Sequence, residues 1–211
     1  MGNSIKPPKI QVIGTDAAGL ENLSFAMQSL LLETEGIAGP KRILAQISSW
    51  WEKNGKHKSL PELMPSNQVS ELINWLKKTK RPTVVLASGD PLWFGIGRRL
   101  LEVFPTDELA FHPAPSSLQL AFSRLGRPWQ DASWVSLHGR DPTPLAEQLQ
   151  LRPNALVVLT DPNNGGLNDA LKILKSSGLE DAYSILLCEQ LGHKDERVIE
   201  KNQSILNQLK V

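Results

Sequence analysis

Short loops rich in glycine, aspartate, asparagine and proline follow four apolar stretches of the sequence. They read GTDAAG at 14–19, SGDPLWFG at 88–95, DPNNGG at 161–166 and EQLG at 189–192. Such residues permit tight turns and the close approach of a ligand to the backbone. Ligands of parallel sheets bind beyond the carboxyl ends of the strands. The spacing therefore indicates ligand binding at these loops, although an ordinary strand-to-helix turn has the same composition.

The sequence lacks the motifs of several other kinds of binding site and active site. The dinucleotide pattern G-x-G-x-x-G fails because Asp16 and Leu100 stand where glycines are required, and the sequence contains neither a phosphate-binding G-x-x-x-x-G-K-[ST] nor a nucleophilic G-x-S-x-G. The four histidines have no spacing that places two on one helical face, and the single cysteine, Cys188, lies in an apolar stretch. We therefore expect no protein-bound metal and no intramolecular disulfide.

The composition is that of a folded protein of moderate size. The 211 residues are 40% hydrophobic and 21% charged, which excludes a disordered chain and suits one compact domain or two small ones. A net charge of +1 argues against a protein that coats nucleic acid. The longest apolar run is far shorter than the roughly 20 residues of a membrane helix. Because the N-terminus also lacks the apolar stretch of an export signal, we expect a cytoplasmic protein with neither nucleic acid nor membrane as partner.

Apolar runs alternate with helical periodicities along the chain, and this order predicts an α/β fold. Strands are predicted at 9–13, 83–87, 109–111, 155–160, 184–188 and 196–200. Helices are predicted at 20–31, 43–51, 67–76, 91–104, 118–125, 167–177 and over the last ten residues. The segment 112–115, His-Pro-Ala-Pro, forms a stiff connector. It divides the chain into lobes at 1–112 and 113–211, each expected to hold a largely parallel or mixed sheet flanked by helices.

The segment 88–97, SGDPLWFGIG, resembles the G-D-P-x-x-x-G signature of the tetrapyrrole methylases, the S-adenosylmethionine-dependent enzymes of cobalamin and sirohaem synthesis. Further segments are similar to those of the subgroup that methylates carbon 5 of the corrin ring. They are GPKRIL at 39–44, PSSLQLA at 115–121, RLGRPW at 124–129, LTD at 159–161 and EQLGHKDER at 189–197. The resemblance covers about residues 10 to 200, which is nearly the whole chain.

The resemblance implies a two-lobed fold that works as a homodimer and binds S-adenosylmethionine between its lobes. It assigns six residues to this cofactor: Gly89, Asp90, Trp93, Ser116, Ser117 and Thr160. The residues themselves also allow a structural role, because aspartate and serine commonly cap helices. We weigh cofactor binding by Asp90 evenly against capping of a helix that begins after Pro91.

The implied reaction is methyl transfer to C5 of a late precorrin or cobalt-precorrin in corrin biosynthesis. It is an in-line displacement on a sulfonium by an electron-rich macrocycle, so the protein mainly aligns the reactants and excludes water. No residue is assigned as catalytic. The chain stops at Val211 without a second glycine-rich cofactor motif. We therefore expect C5 methylation only, with a separate enzyme for C15 methylation and decarboxylation, unless the sequence is a fragment of a longer enzyme with both activities.

The substrate would carry many carboxylates, which arginine binds through paired hydrogen bonds. The basic candidates are Lys41, Arg42, Arg98, Arg124, Arg127 and Arg140. From these we select Arg42 and Arg98, and we add Thr15 and Asp16 of the first loop. Solvated surface charge is the alternative for each basic residue. A flat ring could also pack on Trp93 or Trp129, although Trp129 suits a core position better.

The first loop departs from the family pattern G-x-G-P-G, because Asp16 and Ala18 replace two glycines. We hypothesise that Asp16 faces the cationic end of the cofactor or a nitrogen of the substrate. Two other functions stay open. One is methylation of another acceptor, either a different corrinoid position or RNA. The other is a ligand-binding scaffold without catalysis, which the altered first loop would favour.

Overall fold

A computed structural model describes residues 8–55, 58–137, 141–161 and 166–201 of the chain. The chain forms two compact units. The first runs to Ser117 and includes Gly192–Lys194, and the second contains Leu118–Leu191 and the chain from Asp195. The lobe boundary after residue 112 stays a prediction. The predicted α/β class is confirmed, because helices alternate with parallel strands.

The first unit is built on a five-stranded parallel sheet. Its strands are β1 (Ile10–Thr15), β2 (Gly36–Gly39), β3 (Glu62–Pro65), β4 (Thr83–Ser88) and β5 (Leu109–His112). Their order across the sheet is β3-β2-β4-β1-β5. The helices are α1 (Phe25–Glu33), α2 (Lys41–Asn54), α3 (Val69–Lys78) and α4 (Gly97–Leu101), and a short 3-10 helix spans Thr106–Glu108.

Both faces of this sheet are covered, as a parallel sheet requires. Successive residues of β1 enter different apolar clusters because strand side chains alternate between faces. Ile13 packs with Ile43 and Ile47 of α2. Val12 packs in a second cluster with Leu72 of α3 and Leu100 of α4. The central strands β1 and β4 are therefore fixed on both sides, and their carboxyl ends form a rigid edge.

The second unit contains two separate pairs of strands. The parallel pair is β6 (Ser133–Ser136) and β7 (Leu156–Leu159), and the antiparallel pair is β8 (Ile185–Glu189) and β9 (Arg197–Lys201). The helices of this part of the chain are α5 (Ser117–Leu125), α6 (Thr143–Gln150) and α7 (Gly166–Ser176). Val135, Leu145 and Leu149 form its apolar core with Leu137 and Leu179. Over the described residues, no helix combines the length and the apolar character needed to cross a membrane.

Several elements differ from the sequence-based prediction. Strands β2 and β3 were not predicted, because GIAG and ELMP are short and lack a run of β-branched residues. Pro65 is accommodated at the end of β3, which is an edge strand of the sheet. Strand β6 and helix α6 were also not predicted. The helix expected over the last ten residues lies outside the described residues.

Two helices begin five or six residues later than predicted. Helix α1 begins at Phe25, because the Ser24 hydroxyl accepts a hydrogen bond from the backbone N–H of Met27 and caps it there. Helix α4 begins only at Gly97, because the backbone N–H of Gly97 bonds to the Pro91 carbonyl and closes a series of turns. The residues after the G-D-P sequence thus form a turn rather than a helix.

Candidate functional site

The carboxyl ends of β1 and β4 bring two of the predicted ligand-binding loops together. The two strands end at the same position along the sheet, because their last residues, Thr15 and Ser88, are paired in the parallel register. The backbone N–H of Gly89 then donates to the carbonyl of Thr15 at 2.6 Å, and the N–H of Ala114 donates to the carbonyl of Gly89 at 3.4 Å. The first loop, the G-D-P turn and the connector before α5 therefore meet at one edge of the sheet.

Two glycines allow this close approach. A Cβ atom on Gly14 would lie 2.6 Å from the backbone nitrogen of Ala114 and closer still to the carbonyl oxygen of Gly89. Gly89 has a φ of +65°, a conformation that glycine adopts without strain. A Cβ atom there would lie 3.4 Å from the Cα of Ser116, which is buried. The turn thus lies directly against the end of the connector, just before α5.

Asp90 holds the G-D-P turn and keeps one carboxylate oxygen open. Its Oδ1 atom accepts a hydrogen bond from the backbone N–H of Leu92 at 2.8 Å. Its carbonyl accepts from the N–H of Trp93 at 3.1 Å. Because α4 starts at Gly97, Asp90 does not cap it. Over the part of the chain that the structure describes, the Oδ2 atom accepts no hydrogen bond, and the residue as a whole is half-buried.

Trp93 lies in the same turn and packs against its neighbour. The rings of Trp93 and Phe94 are 5.1 Å apart in an edge-to-face arrangement. Trp93 is half-buried, whereas Phe94 is exposed and has a φ of 52°. The edge-to-face contact restricts the Trp93 ring and places it next to the Asp90 turn.

The first loop is built around Asp16. One carboxylate oxygen accepts a hydrogen bond from the backbone N–H of Ala18 at 2.9 Å, and the other accepts from the side-chain amide of Asn22 at 2.7 Å. The N–H of Gly19 bonds to the carbonyl of Asp16 at 3.1 Å. Thr15, also a predicted substrate contact, is 1% exposed and donates its hydroxyl to the carbonyl of Ala87. Both side chains are thus engaged within the protein.

The predicted basic residues lie in different surroundings. Arg42 donates to the carbonyl of Ala17 and to the hydroxyl of Ser88, at 3.2 Å in each case, so it belongs to this edge of the sheet. Arg98 is 77% exposed and pairs with Glu102 on α4.

Where the structure describes them, the remaining candidates are exposed. In the second unit, Arg124 pairs with Glu196 through two hydrogen bonds. Lys41 and Arg127 are exposed, and Arg140 lies outside the described residues. Trp129 is 44% exposed, so the expectation of a core position is wrong.

The structure brings four of the predicted cofactor residues into one unit around one turn. Gly89, Asp90 and Trp93 form the turn, and the buried Ser116 lies behind Gly89. Ser117 is exposed and begins α5. Thr160 follows β7 in the second unit and is half-buried, and its contact with the cofactor stays a prediction. Among the described residues, no group of three or more histidine, cysteine, aspartate or glutamate side chains is placed to hold a metal ion.

His112 lies at this end of the sheet and has no role in the sequence-based assignment. Its Nε2 atom lies 2.7 Å from the side-chain oxygen of Gln11. The amide nitrogen of Gln11 donates to the carbonyl of Pro8 at 2.9 Å, which fixes the orientation of the amide because a carbonyl only accepts. His112 therefore donates through Nε2. Burial lowers its pKa from the ordinary value of 6.5, which favours the neutral ring.

This burial predicts a pH-dependent stability. A histidine whose pKa is lowered on folding stabilises the protein above the unfolded pKa, and the stabilisation is lost as the pH falls from that value through the lowered folded pKa. We expect His112→Gln to lose less free energy of unfolding than the wild type between about pH 7.5 and about pH 5.5. Urea denaturation at the two pH values measures this. Equal losses in both proteins would show that His112 does not contribute.

Comparisons with known proteins identify the family of the chain and proteins that share its fold. The sequence signature of the Tetrapyrrole (Corrin/Porphyrin) Methylases matches residues 9–205. The chain is 38% identical over 179 residues to a precorrin-6Y C(5,15)-methyltransferase (decarboxylating) from Sinorhizobium sp, covering 78% of this chain and 42% of that protein. It is 30% identical over 132 residues to a cobalt-precorrin-7 C(5)-methyltransferase from Salmonella typhimurium, covering 62% of each. The chain thus spans less than two thirds of the length of either relative.

Solved structures share the fold. A precorrin-6Y methylase from Archaeoglobus fulgidus has a TM-score of 0.63 at 22% identity, over 92% of this chain and 88% of that one. A uroporphyrin-III C-methyltransferase from Thermus thermophilus, complexed with S-adenosylhomocysteine, also has a TM-score of 0.63, at 20% identity over 96% of this chain and 87% of that one. With the signature matched over residues 9–205, the chain belongs to the tetrapyrrole methylase family.

Proposed function

We propose that this protein is an S-adenosylmethionine-dependent methyltransferase that methylates C5 of a late precorrin or cobalt-precorrin in corrin biosynthesis. The observation that carries the proposal is the G-D-P turn at the carboxyl edge of β1 and β4, with the open carboxylate oxygen of Asp90. The names of the Sinorhizobium and Salmonella relatives, which share at least 30% of aligned residues with this chain, support C5 of a precorrin as the acceptor.

The residues of the turn suit S-adenosylmethionine. Because Gly89 has no side chain, the backbone of the turn lies directly against Ser116 and brings the two predicted contacts together. The carboxylate of Asp90 can accept a hydrogen bond from a hydroxyl or attract a positive charge. The apolar face of Trp93 can pack against an adenosyl group, and the Ser116 and Ser117 hydroxyls stand at the start of α5. We propose these five residues as cofactor contacts, with Thr160 as a sixth from the second unit.

The reaction requires the protein to align the two reactants, and it does not require a nucleophilic side chain. When bound, S-adenosylmethionine supplies an electrophilic methyl group on a sulfonium. The G-D-P turn would bind and orient the donor, and the rigid strand ends beneath it would hold that orientation. Fixing two reactants in line supplies a large part of a rate enhancement without acid–base catalysis. The proposal therefore assigns binding and positioning, and no catalytic residue, to the described part of the chain.

The remaining features of the proposal come from the sequence analysis. We propose a cytoplasmic homodimer that acts on a carboxylate-rich macrocycle, and a separate enzyme for C15 methylation and decarboxylation. Arg98, Thr15 and Asp16 stay predicted substrate contacts. The net charge of +1 supports a small-molecule acceptor over RNA, because phosphate binding favours a basic face.

The test is an incubation of the full chain with isotopically labelled S-adenosylmethionine and a panel of late precorrins, with and without cobalt. We expect one labelled methyl group at C5, detected by mass spectrometry and located by NMR. A methyl group on another carbon would contradict the proposed acceptor. Binding of S-adenosylhomocysteine in calorimetry without transfer to any precorrin would favour a non-catalytic scaffold.

A further inference from the structure

Arg42 connects the two loops that form the proposed cofactor site. It lies in the first turn of α2, where one terminal nitrogen donates to the carbonyl of Ala17 and the other to the hydroxyl of Ser88. Ala17 belongs to the first loop, and Ser88 directly precedes the G-D-P turn. Within the described ranges, no other side chain hydrogen-bonds to both loops. The planar guanidinium suits this bridge because its donors diverge at fixed angles.

The first loop depends on such side-chain bonds because it lacks the glycines of the family pattern. Asp16 closes the loop from within, and Gln46 of α2 accepts a hydrogen bond from the backbone N–H of Leu20 at 3.2 Å. Arg42 and Gln46 are four residues apart, so they lie on the same face of α2. Helix α2 thus holds the first loop at two points, and through Arg42 it also holds the loop against Ser88.

We propose that Arg42 is a positioning residue for cofactor binding, acting through Ala17 and Ser88 to fix the G-D-P turn against the first loop. This inference rests on the proposed function and deepens it. It differs from the role expected from the sequence, in which Arg42 pairs with a carboxylate of the substrate. The two roles separate experimentally, because a positioning residue changes the affinity for the donor and a substrate ligand changes the KM of the acceptor.

The first measurement is calorimetry with S-adenosylhomocysteine. We expect Arg42→Met to weaken binding roughly tenfold, as the loss of two hydrogen bonds implies, with little change in melting temperature because the side chain is exposed. Arg42→Lys should restore part of the affinity. Ser88→Ala removes only the bond between Arg42 and Ser88, so it should weaken binding less. The double variant should bind no worse than Arg42→Met, since that bond is already lost in Arg42→Met. The matched control is Arg99→Met, another exposed arginine with an ion pair on α4.

The second measurement needs no ligand. Hydrogen exchange of the free protein should become faster in Arg42→Met at the amide of Gly89, which bonds to Thr15, and in the first loop. In steady-state kinetics, the KM for S-adenosylmethionine should rise while kcat and the KM for the precorrin change little.

Three results would overturn the positioning role. They are an unchanged affinity for S-adenosylhomocysteine in Arg42→Met, an equal loss in Arg99→Met, and unchanged exchange at Gly89. A rise in the KM of the precorrin alone would instead make Arg42 a substrate ligand. A wild-type protein that fails to bind S-adenosylhomocysteine would contradict the proposed function itself, and faster exchange in Arg42→Met would still support the link between the loops.

Discussion

Asp90→Asn is expected to weaken binding of S-adenosylhomocysteine by roughly 10- to 100-fold, in line with the loss of a hydrogen bond to a charged group. The asparagine oxygen can still accept the hydrogen bond from Leu92 that closes the turn. At the second oxygen, however, an amide nitrogen replaces an acceptor, and the negative charge is lost. The fold should therefore persist while the ligand loses its partner. Calorimetry and a melting curve on the same sample measure the two effects.

Two variants control this result. Asp131→Asn removes a charge at an exposed position in the second unit and should leave affinity and melting temperature unchanged. Asp90→Ala removes the turn contact as well as the charge, so it should lower both. If Asp90→Asn binds as tightly as the wild type and only Asp90→Ala is impaired, Asp90 serves the turn alone and its assignment to the cofactor is wrong.

The position of Asp90 at the end of a strand could be predicted from the sequence. The residue was found because the G-D-P segment resembles a family signature, and its position after an apolar run placed it at a strand end. The strands predicted at 9–13 and 83–87 correspond to β1 and β4. The first is indicated by alternating residues before Gly14, and the second by a continuous β-branched and apolar run that is buried on both faces. Strands β2 and β3 carry no such signal, because GIAG and ELMP contain small or flexible residues and lie towards one edge of the sheet.

The contacts that hold the site together could not be predicted from the sequence. Arg42 and Gln46 bond to backbone atoms 25 and 26 residues away, and His112 bonds to a side chain 101 residues away. The pattern of polar and apolar residues along the sequence does not indicate which residues form such hydrogen bonds, because any polar side chain can reach a backbone group once the chain has folded. The turn before α4 likewise depends on a hydrogen bond from the backbone N–H of Gly97 to the carbonyl of Pro91. Residue types thus indicated where a ligand could bind, and the tertiary structure decides what holds the loops in place.

Gly14→Ala is expected to have the largest effect on stability, a loss of more than about 3 kcal/mol in the free energy of unfolding. The added methyl group would overlap the carbonyl oxygen of Gly89 and lie 2.6 Å from the backbone nitrogen of Ala114. These atoms are backbone, so no rotamer change relieves the overlap. β1 would have to separate from the turn after β4, which breaks the hydrogen bond between Thr15 and Gly89. Urea denaturation measures the loss, and any soluble variant should bind S-adenosylhomocysteine poorly.

The control is Gly126→Ala, which separates backbone strain from steric overlap. Gly126 has a φ of +60°, but nothing lies within 4 Å of its added Cβ atom. The variant should therefore cost only about 1 kcal/mol, which is the conformational penalty of a residue with a side chain in this region. A Gly14→Ala protein whose free energy of unfolding matches that of Gly126→Ala would mean that the loops can separate without cost. The turn would then not be rigid, and the strand ends beneath Asp90 could not hold the orientation of the methyl donor.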